Sequence, residues 1–250
     1  MNQDEEWLLN EKYLGERTEE FFADCEQLEK GEPLAYVIGH IPFCNTTIYL
    51  DSKPLIPRTE TEYWVEKVID GILTNPQRSG APLRVLDLCA GSGCIGVAVL
   101  HAIPNTTVDF VEIDTNLHAT ILKNITHNAI DETRTHIYGG DLFETLSGTY
   151  DYILTNPPYI DKVAHTTDTS VLEHEPHQAL FGGAHGMEYI THIVRDASAF
   201  LTPSGTLVIE HEPEQVAAIR DLAGQHGFKA ETYSDQYQVL RYTFLTRLLT

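Results

Sequence analysis

The segment most able to do chemistry is Thr155-Asn156-Pro157-Pro158-Tyr159-Ile160, which follows the hydrophobic stretch 151–155 directly. Two successive prolines fix φ, remove two N–H donors and hold the residue before each in an extended conformation. The backbone must therefore leave a strand rigidly, and the Pro157 carbonyl is denied a regular ladder partner. Beside it the Asn156 side chain offers a second carbonyl. Two acceptors so placed suit the two hydrogens of a planar –NH₂ group. Such a nitrogen is a poor nucleophile, because its lone pair is delocalised, so a transfer to it depends on aim, with reacting atoms about 3–3.5 Å apart. Hydrogen bonds that pull on its N–H groups also favour the positive charge that develops there. No strong base is needed before transfer, since the proton can leave afterwards, and Tyr159 is placed to pack on the target group.

A second segment, Asp87-Leu-Cys89-Ala90-Gly91-Ser92-Gly93-Cys-Ile-Gly96, lies where an apolar strand pattern turns into a helical one. Gly91 and Gly93 let the backbone approach a ligand, and a helix N-terminus presents unpaired N–H groups to an anionic one. Asp114, 23 residues after Gly91, is expected to end the next strand, where a carboxylate accepts both hydroxyls of a ribose. The same spacing, Gly91-x-Gly93-x-x-Gly96 with a later acid, fits a dinucleotide. It equally fits S-adenosylmethionine, whose methionine carboxylate would be the anion, and a tight turn with no ligand at all.

Alternating patterns predict the scaffold for these segments. Strands are expected at 84–88, 107–113, 135–139, 151–155 and 205–210, with a β-rich stretch at 237–245; helices are expected near 93–103, 116–128, 188–201 and 213–226. Strands separated by helices imply a parallel, doubly wound sheet with helices on both faces. A β-prone stretch at 228–233 directly before the last one predicts a hairpin, hence an antiparallel last strand. Thr59 and Glu62 have capping-box spacing ahead of Tyr63, Trp64, Val65, Val68, Ile69 and Leu73, so a helix is expected from about residue 60. Residues 1–31 read as a short helical arm and 32–57, with four prolines, as a linker with a small hairpin. The division expected is an arm and hairpin over 1–57 and a catalytic domain over 58–250. The polar stretch 161–187 is long for a connection and is expected to be a substrate loop or lid.

Composition narrows the setting. Sixteen Lys and Arg against 37 Asp and Glu give a net charge of −21, a field that repels phosphate backbones. No Lys/Arg cluster offsets it, which disfavours direct nucleic-acid binding. No apolar run reaches the roughly 18 residues of a membrane span, and the acidic start MNQDEEWLLNEK lacks the order of a signal peptide. Cys25, Cys44, Cys89 and Cys94 contain no CxxC pair and read as reduced thiols. A cytoplasmic protein without membrane association is expected.

Taken together, these motifs resemble the protein-(glutamine-N5) methyltransferases that modify peptide-chain release factors, the PrmC/HemK family. The matching segments are Glu32-Pro-Leu-Ala-Tyr36-Val-Ile-Gly39, Leu55-Ile-Pro-Arg58-Thr-Glu-Thr-Glu62, Asp87 to Gly93, Gly140-Asp-Leu142-Phe143, Asn156 to Tyr159, Glu175-Pro-x-x-Ala-Leu180 and Gly182-Gly183. The likeness runs from about residue 32 to the end. It implies a Rossmann-like class I methyltransferase fold, S-adenosylmethionine as cofactor, and the glutamine of a class-1 release factor's Gly-Gly-Gln loop as acceptor. By the resemblance, Cys89, Ala90, Gly91, Ser92, Gly93, Asp114 and Asn156 contact the cofactor, Leu142 lies on its adenine side, and Asn156, Pro157, Pro158 and Tyr159 hold the glutamine, with Asn156 and Pro157 catalytic.

Departures from the family pattern carry their own expectations. Cys89 stands where the family usually has Gly and is expected to keep a negative φ. His185 replaces an acidic residue after the Gly-Gly pair. The family's N-terminal domain has several helices, whereas residues 1–31 offer a short arm, so docking through it is expected to be weak. His174 and His177 with Glu173 and Glu175 imitate a metal cluster, but HxxH in a polar loop reads as solvated side chains, and His211 as a strand-end residue. An adenine-N6 methyltransferase shares the Asn-Pro-Pro-Tyr segment but conflicts with the acidic surface. A nicotinamide dehydrogenase leaves that segment unexplained, and the intact pocket residues argue against a non-catalytic scaffold.

Overall fold

The computed structural model describes residues 1–75, 80–163 and 169–248. The arm comprises α1 (Gln3–Glu11), α2 (Glu19–Glu29) and α3 (Leu34–Ile38). Asn2 and Glu5 form a capping box on α1, and Thr18 Oγ1 accepts from the Phe21 N–H to start α2. Both caps satisfy donors that a helix start leaves orphaned. Leu8, Leu9, Phe21 and Val37 give the arm a small core of its own. The hairpin β1 (His40–Phe43) and β2 (Thr46–Tyr49) follows, then α4 (Thr59–Thr74).

The remaining elements are β3 (Leu83–Leu88), α5 (Cys94–Ala102), β4 (Thr106–Glu112), α6 (His118–His127), β5 (Thr135–Gly139), β6 (Tyr150–Thr155), α7 (Thr169–His174), α8 (His177–Leu180), α9 (Glu188–Phe200), β7 (Leu201–Glu210), α10 (Val216–Gln225), β8 (Phe228–Ser234) and β9 (Leu240–Arg247). Seven strands form one sheet in the order β5-β4-β3-β6-β7-β9-β8, parallel except for β9, which is antiparallel to both its neighbours. This is the expected doubly wound, mostly parallel sheet with its C-terminal hairpin.

Two-residue periodicity divides the core between the faces. Val85, Val108, Phe110, Leu154 and Val208 join α4, α5 and α6 in one layer. Leu86, Leu88, Val111, Ile153, Leu207 and Ile209 join α9 and α10 in the other. Each side chain buried this way is worth about 1.5–3 kcal/mol, so moving a strand by one residue would exchange the layers at prohibitive cost. The burial thus fixes the register, and with it the alignment of the strand ends: Leu88 lies beside Val111 and Thr155, and Thr155 beside Ile209.

Two local expectations are corrected. Glu62 does not complete a capping box on α4, whose cap residue Arg58 makes no side-chain cap bond. Its Oε1 accepts instead from the Cys44 N–H at 2.7 Å, tying the helix to the hairpin. The stretch expected as one long loop carries α7 and α8 and a parallel bridge between Ile160 and Phe181; within it, 164–168 lie outside the described residues. It is clasped to the linker by Glu175, whose carboxylate accepts from Arg58 at 2.6 Å and from the Ile56 N–H at 3.0 Å. Glu175 is buried, and an ion pair at its burial holds only where both oxygens find donors.

Candidate active site

Strand order reverses between β3 and β6, the place where open α/β sheets leave a crevice at their carboxyl ends. A cavity lies there, and it brings together most of the residues singled out by sequence: Cys89, Ala90, Gly91, Ser92, Asp114, Leu142, Asn156 and Pro158 all line it. Gly93, Pro157 and Tyr159 adjoin these residues in the chain without being among those that line it. Gly93 opens α5 at φ +78°, a conformation that costs a side-chain-bearing residue, and a Cβ there would meet Ile121 at 3.0 Å. Gly91 has open space where a Cβ would stand, as a ligand cradle needs.

Cys89 departs from expectation. Its φ is +61°, not negative, so a cysteine occupies the left-handed region that the family's usual glycine would enter without strain. Leu142, which also lines the cavity, is left-handed too, at φ +48°. Such conformations persist where surrounding structure over-determines them, typically at functional sites. Burial pushes the Cys89 thiol pKa up, and Glu112 adds to the shift, so the side chain is held as the neutral thiol.

The carboxylate at the end of β4 is Glu112. Asp114 lies two residues beyond the strand, capping a short 3₁₀ turn; its Oδ1 accepts from both the backbone N–H and the side-chain amide of Asn116. Glu112 is buried and receives the Gly91 N–H on Oε2 at 2.7 Å and the Asp114 N–H on Oε1 at 2.8 Å. Burial raises its pKa, and those two backbone N–H bonds oppose the rise. A carboxylate has about four acceptor positions, so two remain for a ligand. Glu112 was missed because the periodicity extends the strand to residue 113; Glu112 and Asp114 share one parity along the chain, that of the buried Val108 and Phe110, and the bond to Gly91 separates them.

Asn156 follows β6. Its Nδ2 donates to Thr61 Oγ1 at 3.2 Å, and its Oδ1 receives no hydrogen bond from the described residues. Nor does any described donor reach the Pro157 carbonyl. Tyr159 turns away from the cavity: its hydroxyl donates to the buried Glu210 at 2.9 Å and its carbonyl accepts from Gln215 Nε2 at 2.8 Å. Burial first, and then the Glu210 charge, hold the Tyr159 phenol protonated. Sequence reading expected Tyr159 to pack on the target group; its hydroxyl instead anchors the turn.

The histidines singled out by sequence are engaged elsewhere. His174 Nδ1 and His177 Nε2 bond the Ser170 and Leu172 carbonyls, and the exposed His185 lies 3.5 Å from Asp161. His211 is fully buried between Thr243 Oγ1 and the Glu212 carbonyl.

The cavity's charge selects its ligand. Among the described residues Glu112, Asp114 and Asp141 line it against one ammonium, Lys53, so it favours a cation and penalises the two phosphates of a dinucleotide. A sulfonium cofactor carrying a ribose and an amino-acid carboxylate fits: Glu112 for the sugar, Gly91 and the start of α5 for the carboxylate, Leu142 and Ile113 for an apolar ring.

Comparison with known proteins agrees. The model of the methyltransferase small domain matches residues 70–179. The release factor glutamine methyltransferase of Salmonella typhimurium is 34% identical over 211 residues, 84% of this chain and 72% of that one. The enzyme of the same name from Yersinia pestis is 34% identical over 204 residues, 81% and 70% of the two chains. The ribosomal protein uL3 glutamine methyltransferase of Bradyrhizobium diazoefficiens is 33% identical over 187 residues, covering 72% of this chain but 57% of that longer one. Among solved structures, the ribosomal protein L11 methylase of Lactobacillus delbrueckii subsp. bulgaricus superimposes with a TM-score of 0.60 at 15% identity, over 81% of this chain and 86% of that one. That likeness establishes the fold alone. Identity of a third across four-fifths of the sequence goes well beyond what a common fold retains, and the chain belongs to the release factor glutamine methyltransferase family, S-adenosylmethionine-dependent enzymes of the Rossmann-like class I fold.

Proposed function

We propose that this protein methylates the side-chain amide nitrogen, N5, of a glutamine, and that its acceptor is the Gly-Gly-Gln loop of a class-1 peptide chain release factor. The observation that carries the reading is the Asn156 carboxamide, anchored through Nδ2 on Thr61 with Oδ1 left unpaired at a cavity shared with the glycine loop. S-adenosylmethionine, when bound, supplies a methyl group on a positively charged sulfur. Cys89, Ala90, Gly91, Ser92 and Gly93 form its cradle. Glu112 accepts the ribose hydroxyls with its two remaining positions, Asp114 stands at the outer edge, and Leu142 packs on the adenine side. Asn156 Oδ1 and the Pro157 carbonyl accept the two N–H bonds of the glutamine amide and stabilise charge developing on that nitrogen. Pro158 and Tyr159 hold the turn rigid, through the Tyr159 bonds to Glu210 and Gln215.

The acceptor is argued from charge as well as kinship. Adenine also offers a planar –NH₂, but in a duplex it must be flipped out at a cost of a few kcal/mol by a protein that grips phosphates. A chain of net charge −21 is poorly equipped for that. A glutamine on a glycine-rich protein loop needs neither, and its glycines let the backbone enter a narrow pocket. Residues 58–250 serve as the catalytic unit and 1–57 as the docking arm, acting in the cytoplasm where translation ends.

The test is incubation of the protein with labelled S-adenosylmethionine and, separately, an intact release factor, ribosomal protein uL3, DNA and RNA, with the modified residue located by peptide mass spectrometry. A methyl group on the release-factor glutamine is expected. Labelling of adenine with none on glutamine overturns the reading; labelling of uL3 in preference to the release factor keeps the chemistry and changes the acceptor.

A further inference from the structure

Behind the cavity wall lies a buried polar cluster that neither the glycine loop nor the Asn-Pro-Pro-Tyr segment explains. Glu210, at the end of β7, is 1% exposed. Its Oε2 accepts from Thr61 Oγ1 and from Trp64 Nε1, each at 2.7 Å, and its Oε1 accepts from the Tyr159 hydroxyl at 2.9 Å. Thr61 and Trp64 come from α4, about 150 residues away in sequence, and both are buried. Replacing the cluster with apolar side chains would cost such a core little, so its retention invites a specific role.

The hydrogen-bond inventory supplies one. With Glu210 as the carboxylate that the Trp64, Thr61 and Tyr159 hydrogen bonds favour, both its oxygens only accept, and Thr61 meets the same oxygen as the donor Trp64 Nε1. The Thr61 hydroxyl has one hydrogen, which is therefore committed to Glu210. What its oxygen shows to Asn156 can only be a lone pair. Asn156 must answer with its –NH₂, which is the 3.2 Å contact observed, and the opposite edge of the amide, Oδ1, is left to face the cavity. An Asn side chain is nearly symmetric in shape, and nothing in its own packing distinguishes the two orientations. A flipped Asn156 would present donors to the cavity and would repel a glutamine –NH₂.

We infer that Thr61, held by Glu210 and Trp64, is a positioning and specificity-determining residue that fixes the amide orientation of Asn156 and so selects a hydrogen-donating acceptor group, glutamine, over a hydrogen-accepting one, glutamate. The inference rests on the assignment of Asn156 as the amide clamp.

Two measurements on the full-length protein test it. Thr61→Val keeps the shape and removes the hydroxyl, whereas Thr61→Ser keeps the hydroxyl. The ratio of inhibition constants for a Gly-Gly-Glu peptide and its Gly-Gly-Gln counterpart, read as competition in cofactor-saturated protein, is expected to fall by about tenfold in Thr61→Val, the scale of one hydrogen bond to a poised polar group. Thr61→Ser is expected to hold the parent ratio, which a merely structural role for residue 61 would not require. Independently of any substrate, the ¹⁵N-labelled side-chain amide of Asn156, assigned by its loss in Asn156→Ala, is expected to shift in Thr61→Val and not in Thr61→Ser. An unmoved amide resonance in a folded Thr61→Val protein overturns the inference, as does an unchanged peptide ratio. If the parent methylates no glutamine, the proposed function falls, and the amide resonance still decides whether Thr61 sets the orientation.

Discussion

Replacing Gly182 by alanine provides a demanding check on how the acceptor turn is held. Gly182 lies outside the cavity wall, directly behind the Asn-Pro-Pro-Tyr segment. A Cβ there would stand 2.5 Å from the Pro158 carbonyl oxygen, 2.7 Å from the Gly186 carbonyl oxygen and 2.8 Å from the Tyr159 Cα, all of them backbone atoms. Ordinary van der Waals contact begins near 3.4 Å, so the three contacts fall short of it by 0.9, 0.7 and 0.6 Å. No flexible side chain can absorb them. The segment must move by most of an ångström, which carries the Pro157 carbonyl and Asn156 with it. Overpacking of this kind costs about 1–3 kcal/mol of stability. A displacement near 1 Å at a reacting centre costs about a hundredfold in rate. The atoms that a Gly182 Cβ would meet belong to the turn and to Gly186, not to the glycine loop, so cofactor affinity should change far less than kcat. The assay is kcat at saturating cofactor and substrate, together with S-adenosylmethionine affinity by calorimetry and thermal unfolding. Gly71→Ala is the control: it sits exposed within α4 with nothing within 4 Å, and it should gain about 1 kcal/mol or less with unchanged activity. A folded Gly182→Ala protein with the parent's kcat would refute the view that this backbone contact positions the clamp.

Further outcomes follow from the same geometry. Glu112→Ala should weaken S-adenosylmethionine binding by about 1.5–3 kcal/mol and more than Asp114→Ala does, measured by calorimetry; the reverse order returns the ribose contact to Asp114. Asn156→Ala should leave cofactor affinity nearly intact and lower the transfer rate by about a hundredfold in a single-turnover assay. Asn124, fully buried, donates to the Ser92 and Tyr49 carbonyls and accepts from the Tyr49 N–H, so Asn124→Ala should cost about 3 kcal/mol in denaturant unfolding and loosen the glycine loop. His211 has its pKa lowered from 6.5 to about 4 by burial. Below 6.5 the unfolded chain takes up a proton that the folded one refuses until about 4, so stability falls as pH drops through this window. The loss is about 3 kcal/mol. The difference between the parent and His211→Asn unfolding curves against pH isolates it from the opposing effect of Asp87, whose pKa burial raises to about 8.

What could be read from the sequence was whatever depends on near neighbours. The alternation of strands and helices, the glycine loop where β3 meets α5 and the rigid exit after β6 are all written in runs of a few residues, because periodicity and proline sterics act locally. Family kinship followed from the same short motifs. Only the tertiary structure decided matters that depend on what arrives from elsewhere. Glu112, and not Asp114, is tied to the glycine loop, because Gly91, from a different strand end, donates to it. Glu62 abandons its helix cap because Cys44 of the hairpin offers a buried N–H that would otherwise lack a partner. Cys89 takes a left-handed φ against its own preference, in the loop between β3 and α5. Glu175, dismissed beside two histidines, clasps Arg58 from 117 residues away. The orientation of Asn156 is set by Thr61 and Glu210, 95 and 54 residues distant. A hydrogen bond has no sequence range, since its cost when unmade depends only on burial, and burial is known only once the whole chain has folded.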